Sequence, residues 1–163
     1  MDKILRKGGK REGLTERTLA FLKPEAVMRG LMGEIISRIE RKGLLIVAMK
    51  LLQITRKQAG KIYEMHKGKN FYEHLIDHVT STPILAMVIE GPNAVSVLRN
   101  MIGKTNPIEA RSGTVRGDFA LNVQKNMIHA SDSLENAKRE IGILFGPDEI
   151  LEYRKPTDAK YMF

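Results

Sequence analysis

Cysteine and tryptophan are both absent from this chain of 163 residues. Without cysteine there is no disulfide, no Cys-bearing zinc site, no iron–sulfur cluster and no thiol nucleophile, a pattern that fits a reducing compartment. Aromatic residues make up only 6%, thin for a protein that reads nucleic acid by stacking bases on rings. The longest apolar runs, Leu44 to Met49 and Ile84 to Ile89, are six residues each, far short of the ~20 that a bilayer-spanning helix needs. The N-terminus carries lysines and arginines with no apolar stretch behind them, so no secretory signal is expected. These absences predict a soluble, cytoplasmic protein. What is present, 42% apolar and 28% charged residues, reads as globular rather than disordered. The length suits one well-cored domain.

The formal net charge is +8. Residues 1–14 supply +3 of it through Lys3, Arg6, Lys7, Lys10 and Arg11 against Asp2 and Glu12. Gly8, Gly9 and Gly13 break that stretch, so 1–14 reads as a basic, flexible tail ahead of a domain over 15–163. A basic surplus favours anionic partners without choosing among nucleotides, nucleic acid and membranes.

Along the domain, Thr18 to Leu22 reads as a strand that Lys23-Pro24 stops. Met32, Ile35, Ile36 and Ile39 form one helical stripe, which Gly43 can terminate. Leu44 to Leu52 reads as a strand covered on both faces. Thr55 to Val79 is helical but interrupted near Gly68, giving two short helices. Thr82 to Ile89 is a second buried strand, closed by Glu90-Gly91. Pro92 is expected at the first position of the next helix, whose core face is Val95, Leu98, Met101 and Ile102. Residues 103–117 read as a long functional loop. Asn126 to His129 is extended, and Asp132 or Ser133 caps a last helix lined by Leu134, Ala137, Ile141 and Leu144. With the helical insert and the last helix set aside, the order is βαββαβ. The predicted fold is therefore α+β: a ferredoxin-like antiparallel sheet covered by helices, with a helical insert and a C-terminal helix.

Three motifs match in part and lack a required residue. Gly103-Lys104-Thr105 ends like a phosphate-binding loop, yet Leu98 stands where the first glycine is required. His74 and His78 are four apart on a predicted helix, but Leu75 replaces the glutamate of the zinc protease motif, so solvated or capping histidines are expected. Arg116-Gly117-Asp118-Phe119 only begins like an RNA-reading strand. Arg99, Thr105 and Arg116 are strung around the long loop, where guanidinium forks and a hydroxyl suit phosphate oxygens and equally suit a solvated surface. His129 falls between a strand and a helix start. There it could be a nucleophile oriented by a carboxylate such as Glu140, or a satisfied structural histidine.

Five stretches in order tip this balance. Asn126-x-x-His129-x-Ser131-Asp132-Ser133 resembles the signature of the nucleoside-diphosphate kinase family. Glu16-Arg17-Thr18 with Leu22-Lys23-Pro24-Glu25-Ala26-Val27-x-Arg29-Gly30 resembles its opening strand and lysine turn, and Gly33 to Gly43 its first long helix. Thr105-Asn106-Pro107 and Gly113-Thr114-x-Arg116-Gly117-Asp118-Phe119 resemble its phosphate loop. The likeness runs from about Glu16 to about Tyr153.

The resemblance implies a phosphotransferase that moves the γ-phosphate of a nucleoside triphosphate to a nucleoside diphosphate, through a phosphohistidine on His129 and in a ping-pong order, with broad base specificity. It implies that Glu140 holds the imidazole, with Ser131 helping. Lys23, Arg99, Thr105 and Arg116 would bind the phosphates, Tyr63 would sit beside the transferred group, and Asn126 with Lys23 would touch the ribose. Phe71 would stack on the base, in a slot lined by Leu75 and Val123. Magnesium would arrive on the nucleotide phosphates rather than in a protein cage. A homo-oligomer is implied, a hexamer of dimers first and a tetramer second, with nucleic acid a secondary partner. The chain departs from the family pattern at Gln124 and Lys125, where a small residue and then a basic one are common, and at Lys104, where an acidic one is common.

Overall fold

The computed structural model describes residues 15–153. The expected tail, 1–14, and the end of the expected domain, 154–163, lie outside the described residues. Strand β1 (Thr15–Leu22) alternates its buried side chains, Leu19 and Phe21 to one face and Ala20 and Leu22 to the other. It pairs antiparallel with β3 (Ile84–Pro92) on one side and β4 (Ile128–Ala130) on the other, and β2 (Leu45–Leu52) pairs with the far edge of β3. The order β2-β3-β1-β4 is that of the predicted split βαββαβ unit.

Both faces are covered. Helices α2 (Met32–Arg41) and α5 (Ala94–Ile102) pack Ile35, Ile39, Leu98 and Ile102 against Ala20, Leu22, Met87 and Ile89. Helices α3 (Arg56–Ile62), α4 (Tyr72–Val79) and α7 (Leu134–Leu144) pack Ile62, Ile76, Val79 and Leu144 against Leu19, Phe21, Ala86 and Val88. The insert is the pair α3 and α4, broken around Gly68 as expected. A capping box between Thr55 and Gln58 starts α3, and Ser133 caps α7 by accepting from the Asn136 amide.

Several expectations give way. Only the first half of β2 is covered on both faces; Met49 and Leu51 are more than half exposed, because β2 is an outer strand. Pro92 does not open α5. Pairing runs two residues past Glu90, since Gly91 lets the Leu44 side chain lie against the backbone, and Pro92 ends β3 opposite Thr15. Asn93 then turns the chain with a φ of 50°, and the Glu16 carboxylate accepts from the Val95 amide at the head of α5. Pro24 ends β1 and also opens a short helix, α1 (Pro24–Met28), in the N1 position that proline favours. The stretch 103–117 is in part ordered into a 3₁₀ turn, Pro107–Glu109, and the start of α6 (Val115–Phe119), capped by the Asn106 and Thr114 side chains.

Candidate active site

Strand β4 sets His129 opposite Phe21 of β1, and the two rings stack with centroids 4.8 Å apart. The Tyr63 ring meets the imidazole edge-on at 5.2 Å. From α7, Glu140 places Oε2 2.9 Å from His129 Nε2, and the same oxygen accepts from Ser131 Oγ at 2.5 Å. Its other oxygen, Oε1, lies 3.6 Å from the Arg139 guanidinium. An ionised carboxylate only accepts, so Nε2 carries the hydrogen and the lone pair is left on Nδ1.

The backbone leading to His129 is strained and heavily tied. Met127 has a φ of 74°, and the Ile128 amide donates to the Asn126 carbonyl at 2.9 Å. This is a γ-turn of the rare positive-φ kind, which costs on the order of 1–3 kcal/mol and persists only where its surroundings enforce it. Here they do: the Met127 amide donates to Glu25 Oε1 at 2.9 Å, and its carbonyl accepts from the Lys23 amide at 2.9 Å. Arg116 is buried and donates to the carbonyls of Asn126 (3.2 Å), Ile128 (2.7 Å) and Gly103 (3.0 Å), so one guanidinium joins both ends of the site. Burial first, and then the neighbouring Arg99, lower its pKa to about 10, leaving it charged at neutral pH.

Lys23 is also buried, and its ammonium donates to Asn126 Oδ1 at 2.6 Å. Burial lowers its pKa to about 8, with Glu25 pulling upward and Arg116 adding to the fall. Asn126 Nδ2 in turn donates to the Thr105 carbonyl at 3.0 Å. Arg99 reaches from the last turn of α5 to the Ala130 carbonyl at 3.4 Å. Lys23, Arg99, Thr105, Arg116, Asn126 and His129, scattered over 107 positions of sequence, are thus joined by a few hydrogen bonds around β4. Tyr63 Oη is buried and has no hydrogen-bond partner among the described residues. Burial and the Glu140 charge raise its pKa, so the phenol keeps its proton.

Phe71 stands at the head of α4, 40% exposed, tilted against His66 with centroids 5.4 Å apart; His66 in turn stacks on Tyr63. Leu75, one turn on, packs partly buried against the core beneath, and Val123 is half exposed in the loop before Asn126. That loop forms without a glycine: Asn122 Oδ1 accepts from the amides of Gln124 (2.7 Å) and Lys125 (3.4 Å), an Asx turn. Lys104 pairs with Glu109 at 3.4 Å.

A family described as Nucleoside diphosphate kinase matches residues 16–150. The chain belongs to the nucleoside-diphosphate kinase family. It is 57% identical over 146 residues to the nucleoside diphosphate kinase of Kosmotoga olearia, covering 90% of this chain and 99% of that protein. To that of Methanocaldococcus jannaschii it is 58% identical over 139 residues, covering 85% and 99%. Among solved structures, the nucleoside diphosphate kinase of Halobacterium salinarum in complex with CDP is similar at a TM-score of 0.86 and 38% identity, over 88% of this chain and 96% of that one. A family protein from Babesia bovis is similar at 0.84 and 39%, over 87% and 96%. The chain is accordingly a phosphotransferase that moves phosphate between nucleotides, on a ferredoxin-like α+β fold.

Four neighbours of the candidate site were not singled out from sequence for any role there. Phe21 read as a core strand residue, and His66 as part of the insert. Glu25 stood inside the lysine turn, two residues from Lys23. His78, expected to be solvated or to cap its helix, is partly buried with Nε2 2.6 Å from Glu25 Oε2. Only the pairing of α4 with α1 in three dimensions could have joined those two. No helix among the described residues is long and apolar enough to cross a membrane.

Proposed function

We propose that His129 is the residue that carries the phosphoryl group, in two half-reactions of opposite direction. In the first, the Nδ1 lone pair attacks the γ-phosphorus of a nucleoside triphosphate, the bond to the bridging oxygen breaks, and the diphosphate leaves with the electron pair. In the second, the terminal oxygen of a different diphosphate attacks the phosphohistidine and Nδ1 takes its electrons back. The hydrogen bond from Nε2 to Glu140 carries this reading, because it fixes the tautomer that frees Nδ1 and stabilises the charge arising on the phosphorylated ring. Ser131 shares the Glu140 oxygen and holds the carboxylate in place.

Lys23, Arg99 and Arg116 would offer fixed positive charge to the phosphates, with the Thr105 hydroxyl adding a hydrogen bond. The unpartnered, protonated Tyr63 hydroxyl beside the imidazole suits a donor to the group in transit. Asn126 and Lys23 would meet the ribose hydroxyls, and Phe71, with Leu75 and Val123, the base. Such a donor set is cationic and amide in character, so it suits phosphate oxygens and would leave a magnesium ion to be held by the nucleotide itself. When bound, that ion neutralises charge on the β- and γ-phosphates. We further assign residues 15–163 to one catalytic domain, acting in the cytoplasm as a homo-oligomer.

A platform that grips phosphate, ribose and one π-face makes no demand on base edges, so purine and pyrimidine diphosphates are both expected as acceptors. A coupled assay of ATP with GDP and with dTDP tests this. The reading predicts turnover with both, parallel initial-rate lines, and a loss shared by all bases in Phe71→Ala. Intersecting lines, or a preference for one base of about a thousandfold, equivalent to about 4 kcal/mol, would contradict it.

A further inference from the structure

His78 lies in the last turn of α4, the helix that has Phe71 at its head, and its ring is tied to α1 rather than to solvent. Glu25 uses its two oxygens differently: Oε2 meets His78 Nε2 at 2.6 Å, and Oε1 accepts the Met127 amide at 2.9 Å. One carboxylate therefore joins the nucleotide-facing insert to the strained turn that sets Asn126 and His129. Its alternative partner is close by. The Lys23 ammonium is near enough for each charge to favour the other, yet Lys23 donates to Asn126. A carboxylate free to rotate could draw Lys23 away and release the Met127 amide together.

We propose that His78 and Glu25 form a positioning clamp for the transfer site: the imidazole N–H holds the Glu25 carboxylate on the Met127 amide and so keeps the γ-turn closed and Lys23 on Asn126. Neither residue touches the reacting atoms. The clamp deepens the His129 reading and rests on it for its effect on turnover. Its effect on the turn is independent of that reading.

The test uses the full chain and compares His78→Leu, which removes the N–H, with His78→Gln, which restores an amide donor. Hydrogen exchange of the Met127 amide and ATP–GDP transfer are measured on the same preparations. In His78→Leu the amide should exchange at least about tenfold faster, and kcat/KM should fall about tenfold, less than the hundredfold that about 1 Å of misplacement can cost. His78→Gln should lie within about twofold of the wild type in both. Wild-type behaviour of His78→Leu in either measurement overturns the clamp, and so does a His78→Gln variant as impaired as His78→Leu. Glu25→Ala provides a second route should the leucine variant not fold. Adding His78→Ala, which removes the donor, to Glu25→Ala should cost nothing further, and an additional, independent loss overturns the proposal. Exchange requires no turnover, so failure of the clamp is separable from failure of the His129 reading, which appears as an unlabelled His129 in the wild type.

Discussion

Burying an ammonium group carries a free-energy cost that a bound anion can return, and Lys23 bears that cost in the free protein. Its pKa is about 8 against an ordinary value of 10.5. Between those two values the unfolded chain holds more protons than the folded one, so folding stability attributable to Lys23 rises with pH across that window. Nucleotide binding as proposed would run the other way, because phosphate oxygens favour a charged lysine. Above pH 8, binding should therefore draw in a proton and weaken as pH rises. Calorimetric titration with a nucleoside diphosphate at pH 9, in two buffers of different ionisation enthalpy, should show that uptake, and Lys23→Gln should abolish it. Equal uptake in the variant would assign the proton elsewhere.

The elements with strong periodicity were legible from sequence. Met32, Ile35, Ile36 and Ile39 gave α2, and the unbroken apolar run before Lys23 gave β1, because burial of one helical stripe or of both strand faces leaves a direct mark. The outward half of β2 left none: Met49 and Leu51 are apolar on a strand whose outer edge no other strand covers among the described residues. Short pieces such as α1 and α6 are held by caps and tertiary bonds rather than by a stripe. The polar ring around His129 was legible only as a family pattern, and the Glu25–His78 contact not at all, since 53 residues of sequence separate its partners. Gly117, by contrast, sits where α6 presses on the preceding loop: a Cβ there would lie 2.1 Å from the Arg111 carbonyl oxygen. Gly117→Ala should cost about 1–3 kcal/mol of stability and displace Arg116 from its three carbonyls. A denaturant midpoint unchanged from the wild type would contradict this account of α6.

In the whole molecule, β2 leaves one edge of the sheet bearing Met49 and Leu51, and the C-terminal segment satisfies part of that edge. The Leu151 amide donates to the Val47 carbonyl at 2.9 Å, and Tyr153 Oη to that of Ile46 at 2.6 Å. The rest of the edge and its apolar side chains favour covering by a second copy. Light scattering at micromolar concentration should give a particle of several chains, six first and four second. A monomer would contradict the proposed assembly while leaving the chemistry of one site untouched.

The account stands most directly on the atom that takes the phosphate. Incubation with magnesium and γ-labelled ATP, without acceptor, should label the chain on His129 through a phosphorus–nitrogen bond, labile in acid and stable in base. Unlabelled diphosphate should discharge that label into triphosphate. His129→Asn should bind nucleotide and take up no label. Label on Ser131 or Ser133, or transfer surviving in His129→Asn, would contradict the mechanism.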